Sequence, residues 1–145
     1  MFLFFVAFLF SCSVFDEFKS KEFIYYEDGK KEHLALKIPK HWSEEKILLD
    51  SSGGKEQYYY YNSGALIYFS KDVKSWTTEN QTRVDSVKKY SPKKNLNKNI
   101  YSGTDSGKLY WKEIQLDSFR FGYSYVPGGE LEKFETAINS IRLKN

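Results

Sequence analysis

The sequence predicts an α+β fold in which an antiparallel sheet of about six or seven strands is packed by helices. Two observations lead there. Short runs of alternating apolar residues are separated by Gly, Asn and Asp turn signals, as in successive hairpins. Helical patterns interrupt these hairpins without a regular strand–helix alternation, which argues against a parallel sheet. A third observation fixes the end of the chain, where Leu131, Phe134, Ala137, Ile138 and Ile141 recur on one stripe at helical spacing.

Phe23-Ile-Tyr-Tyr-Glu-Asp-Gly29 reads as a strand closing in an Asp-Gly turn. In His33–Pro39, Leu34, Leu36 and Ile38 alternate onto one face, and Pro39 ends the strand because it has no ladder donor. Ser43 followed by Glu44 and Glu45 predicts a short capped helix over Glu44–Leu49. Glu56–Tyr61 and Ala65–Ser70 form a hairpin through Asn62-Ser63-Gly64. Thr78-Glu-Asn-Gln81 is a capping box that predicts a helix to about Tyr90, followed by a lysine-rich loop to Lys98. Asn99–Gly103, Lys108–Leu116 and Phe119–Val126 read as a three-stranded meander. Pro127-Gly128-Gly129 breaks the pattern before the closing helix, Glu130–Leu143. The stripe of that helix is expected against the face carrying Phe119 and Phe121, with Glu132, Lys133 and Glu135 in water.

Composition narrows the function. Twelve Phe, twelve Tyr and three Trp in 145 residues favour pleated, half-buried surfaces. The net charge is +3 with both signs dispersed, which argues against a dedicated nucleic-acid binder. A single cysteine, Cys12, excludes a disulfide framework.

Residues 2–10 are an unbroken apolar run, too short to span a bilayer as a helix but of the length of an export signal. Ser11 and Cys12 follow it, with Leu9 three residues before the cysteine. This arrangement resembles the bacterial lipoprotein signal, although Phe10 is bulkier than the usual occupant. The resemblance implies removal of residues 1–11 as a signal peptide and lipidation of Cys12. An ordinary secretory signal and a buried apolar segment are the competing readings. Residues 12–22 are then the lipidated cysteine and a tether, and residues 23–145 a single α+β domain. Asp16 and Glu17 are read as linker ahead of a surface-export tag. The expected location is the cell envelope, lipid-anchored at the outer membrane on its periplasmic or surface face.

Pro39-Lys-His-Trp42 at a strand end, the meander, and Phe134-Glu-Thr-Ala-Ile-Asn-Ser-Ile141 followed by Arg-Leu are similar to the PsbP-like fold. The resemblance covers about residues 23–143. Members of that group generally bind partners, so it implies an accessory subunit on a larger envelope protein complex and no catalytic residues.

The residues themselves offer no catalytic set. His41 with Glu44 and Glu45 lacks the spacing of a zinc enzyme. Ser43-Glu-Glu-Lys46 fits Ser-x-x-Lys, but the partner motifs of that chemistry are missing. The expectation is a protein that is not an enzyme and takes no cofactor or metal. Two features suit binding instead. Tyr58-Tyr-Tyr-Tyr61 places two tyrosines on each face of a strand, one pair for the core and one for a platform. Tyr59 and Tyr61, with Tyr68 and Tyr110 nearby, are the candidate glycan-stacking residues, set against an ordinary packed aromatic sheet. Lys88, Lys89, Lys93 and Lys94 are candidates for contact with anionic head groups, set against a solvated loop.

Overall fold

The computed structural model describes residues 17–27, 29–49, 54–71, 86–90, 98–105, 107–116 and 119–144. β1 (Phe18–Glu27) and β2 (Lys30–Pro39) pair along their whole lengths, from Phe18 opposite Pro39 to Glu27 opposite Lys30. Gly29 makes their connection at φ 75°, a conformation that favours glycine. β10 (Arg142–Lys144) returns to the other side of β2 and completes a three-stranded sheet, β1-β2-β10.

The second sheet holds seven strands. They are β3 (Glu44–Leu49), β4 (Lys55–Tyr60), β5 (Leu66–Lys71), β6 (Ser86–Tyr90), β7 (Lys98–Thr104), β8 (Tyr110–Leu116) and β9 (Phe119–Val126), in the order β3-β4-β5-β9-β8-β7-β6. Every pairing is antiparallel. After a single 3-10 turn at Gly128–Glu130 comes α1 (Leu131–Asn139), the one α-helix among the described residues. The fold is antiparallel α+β as the sequence predicts, with its strands divided between two sheets.

Strand alternation decides how the layers close. Leu34, Leu36 and Ile38 of β2 face the same core as Tyr59 of β4, Ile67 and Phe69 of β5, and Phe121 and Tyr123 of β9. Phe23 of β1 stacks on Phe69 with ring centroids 5.4 Å apart and meets Phe119 edge-on at 6.0 Å, which joins the small sheet to the large one. Phe134, Ala137 and Ile138 bring α1 into the same cluster, against β2 and β9. The C-terminal end of α1 is tied down by Ser140, whose Oγ accepts the Lys37 amide at 2.8 Å and donates to the Ala137 carbonyl at 2.6 Å.

Several expectations are corrected. Glu44–Leu49 is a strand, paired residue for residue with β4 from Glu44 opposite Tyr60 to Leu49 opposite Lys55. Ser43 does not cap a helix: its amide and its hydroxyl both donate to the Tyr60 carbonyl, at 2.7 and 3.0 Å. The helix expected over 78–90 lies mostly outside the described residues, and its last part, Ser86–Tyr90, is β6 paired with β7. The closing helix stops at Asn139, and Arg142–Lys144 leave it for the small sheet. β1 begins at Phe18, so residues 18–22, read as tether, belong to the folded domain.

Candidate functional site

The turn from β2 into β3 builds a concave feature on the surface. Pro39 ends β2, the Lys40 amide donates to the Glu17 carbonyl at 2.8 Å, and His41 turns the chain at φ 68°, the left-handed region. The two Ser43 bonds to Tyr60 then fix where β3 starts. Between these fixed points Trp42 lies edge-on to Tyr59, with centroids 5.5 Å apart. An open cleft of about 720 Å³ forms beside it, lined by Phe18, Lys19, Ser20, Lys40, His41 and Trp42.

Cations surround the Trp42 ring. Lys21 Nζ lies 4.5 Å from its centroid and Lys19 Nζ 5.5 Å, both within cation–π range. Lys21 is held there by Glu45 at 2.7 Å. Gln57 Nε2 and the Tyr59 hydroxyl donate to the same carboxylate at 2.8 and 3.0 Å. Partial burial works against the charge on Glu45, but the bonds from Lys21 and Tyr59 outweigh it and hold its carboxyl below the ordinary value. Three donors thus occupy the Glu45 oxygens, which makes this carboxylate a brace for the cleft. His41 lines the cleft as an exposed residue. Among the described residues no three His, Cys, Asp or Glu side chains converge as a metal site.

The tyrosines predicted as a platform are placed differently from that expectation. Tyr59 is 0 % exposed and Tyr68 2 % exposed, so neither offers a ring face to a ligand. Tyr61 is half-buried, donates its hydroxyl to the Pro39 carbonyl at 3.0 Å and packs edge-on to Phe134. Burial pushes the Tyr59 and Tyr61 hydroxyls far above their usual range, and the neighbouring Glu45 and Glu130 add to the shifts. Tyr110 is half-buried against the main core. Of the lysines, Lys88 and Lys89 belong to β6, while Lys93 and Lys94 lie outside the described residues, as does Cys12.

The other face of the large sheet carries a second network. Tyr58, Leu66 and Tyr68 cluster there with Tyr60, and the Tyr58 and Tyr60 rings stack 6.0 Å apart. The Tyr68 hydroxyl crosses β9 to donate to Glu113 at 2.8 Å, and Gln115 Nε2 donates to the same carboxylate at 2.6 Å. The crossing depends on Gly122, whose hydrogen faces the Tyr68 ring: a Cβ there would lie 2.7 Å from the Tyr68 hydroxyl. Glu113 is 1 % exposed, so the network is internal architecture.

A further surface was missed because its segment reads as helix. β3 ends the strand order of the large sheet, and all six of its residues are exposed. Ile47, Leu48 and Leu49 are 53, 40 and 75 % exposed, a consecutive apolar run on a sheet edge. Natural edges are commonly protected by charge, proline or a bulge. Here Glu44, Glu45 and Lys46 protect only the first half of the strand.

No family model matches the chain, and no curated protein or solved structure matches it. The geometry therefore carries the functional argument. Among the described residues no helix is long and apolar enough to cross a membrane. The described surfaces offer a cationic, aromatic cleft and a strand edge with apolar side chains. Both suit association, one with an anionic or amphipathic surface and the other with an extended polypeptide.

Proposed function

We propose that this chain is a non-enzymatic, lipid-anchored envelope protein whose β3 edge docks on a larger envelope protein complex. The observation that carries the docking is the exposure of Ile47, Leu48 and Leu49 on a terminal strand. An edge strand presents a row of backbone donors and acceptors that an extended segment of a partner can complete, while side chains set specificity. A partner segment added to β3 would cover the apolar half of that strand. The order of the elements supports a PsbP-like domain: a strand ending in Pro39-Lys-His-Trp42, the β7–β8–β9 meander and the closing α1. The anchor reading rests on the apolar run 2–10 followed by Ser11 and Cys12. The proposed location is the outer membrane, on its periplasmic or surface face.

Cys12→Ser tests the anchor, because thioether formation needs the sulfur. The wild-type protein is expected in the detergent phase of a phase partition, since its acyl chains together hold firmly where one alone binds marginally. Cys12→Ser is expected to remain unprocessed or to appear in the aqueous phase. A Cys12→Ser protein cleaved and partitioned identically to wild type would overturn the anchor.

A further inference from the structure

We infer that the Trp42 cleft is the face by which the domain rests on anionic lipid head groups. The inference builds on the lipid anchor and assigns a second, non-covalent membrane contact to residues the anchor does not involve. Its first support is chain length. Six residue steps separate Cys12 from Phe18, which spans at most about 20 Å. Phe18 lines the cleft, so an acylated Cys12 keeps this end of the domain close to the bilayer surface. The opposite end of the β1–β2 hairpin, at Lys30 and Lys31, lies a full ten-residue strand away, about 30 Å.

Charge is the second support. The exposed Lys19 lines the cleft with its ammonium over the Trp42 ring, while Glu17 is engaged by Lys133 at 3.2 Å and Glu45 by Lys21 at 2.7 Å. The third is chemistry of the interface. Phe18 and the half-buried Trp42 supply ring surface of the kind that settles at head-group depth, where an apolar body and a polar tip are both accommodated. Lysines next to such rings add attraction for phosphate-bearing head groups that decays within a Debye length.

The test uses the chain from residue 12 onward carrying Cys12→Ser. It retains every described element, and it omits the apolar run that would itself enter a bilayer. Its sedimentation is measured with vesicles of phosphatidylcholine alone and of phosphatidylcholine mixed with phosphatidylglycerol. Binding to the mixed vesicles only is expected, weakening as salt is raised. Lys19→Gln should lower that affinity about fivefold, the effect of one lysine near the surface. Lys30→Gln, with the same charge change at the far end, should leave it unchanged. Equal losses in the two variants, or no binding to the mixed vesicles, would overturn the inference. So would lysine-dependent binding of soluble glycerol phosphate without vesicle binding, which would assign the cleft to a free anion. None of these results bears on the anchor, whose failure would show in the detergent partition of the acylated protein.

Discussion

Phe134→Ala is expected to destabilise the domain by about 3–5 kcal/mol, a large share of the 5–15 kcal/mol typical of a domain. Phe134 is 1 % exposed and is the deepest ring of α1. It meets Tyr61 edge-on at 5.1 Å and Tyr123 at 5.9 Å, so truncation opens a cavity between three elements. Denaturant unfolding at equilibrium measures the loss. The neighbouring Glu135 shows why the helix surface needs separate treatment. Its expected place was in water, with little consequence on removal. Instead one carboxylate oxygen accepts from Lys112 Nζ at 2.6 Å and the other from the Tyr123 hydroxyl at 2.5 Å. Burial raises the Tyr123 hydroxyl far above its usual range, with Glu135 adding to the shift, so that hydroxyl stays protonated and donating. Glu135→Ala should therefore cost about 1–3 kcal/mol, because it leaves a half-enclosed donor without its acceptor.

Gly122→Ala should cost about 3 kcal/mol or more, at the upper end of overpacking effects. A Cβ at this position would lie 2.2 Å from the Lys112 carbonyl oxygen, a backbone atom that cannot swing aside as a side chain does. It would also lie 2.7 Å from the Tyr68 hydroxyl and 3.0 Å from the ring carbon that bears it. The β8–β9 register already shifts between Tyr110 and Lys112, next to the point of collision. Relief is tested in a Tyr68→Ala background, which removes the ring contacts but not the carbonyl. Gly122→Ala should remain destabilising there. A cost below about 0.5 kcal/mol in the wild-type background would contradict the crossing geometry.

Much of the sheet was legible because turn chemistry and alternation agreed. Asn62-Ser63-Gly64 gave the β4–β5 hairpin, and Gly64 takes φ 85° in it. In the β7–β8 turn the Asp105 side chain accepts the amides of Gly107 at 2.9 Å and Leu109 at 3.0 Å, the local bonding by which Asp favours turns. β3 was misread because Ser43-Glu-Glu imitates a helix N-terminus, while pairing with β4 is a tertiary decision. The Tyr58–Tyr61 run hid its orientation for a related reason. With tyrosine on both faces, only Ile67 and Phe69 across the ladder decide that Tyr59 faces the core. β10 was absorbed into the helix pattern because Ile141 continues the apolar stripe past the true end at Asn139. The cleft was half legible: Pro39-Lys-His-Trp42 stood out as a turn, whereas Phe18 and Lys19 were read as tether. Only the pairing of Phe18 with Pro39 brings the two segments together.

The proposed role of the β3 edge is that of a partner surface on an anchored domain. It is tested most directly by a photo-crosslinking residue placed at Leu48 in intact cells, with one at Glu32 as the control. Leu48 is 40 % exposed on β3, and Glu32 lies on β2 in the other sheet. A discrete crosslinked product with an envelope protein is expected from Leu48, absent from Glu32 and reduced when Ile47 is replaced by Lys. No product from Leu48, or the same products from both positions, would contradict it.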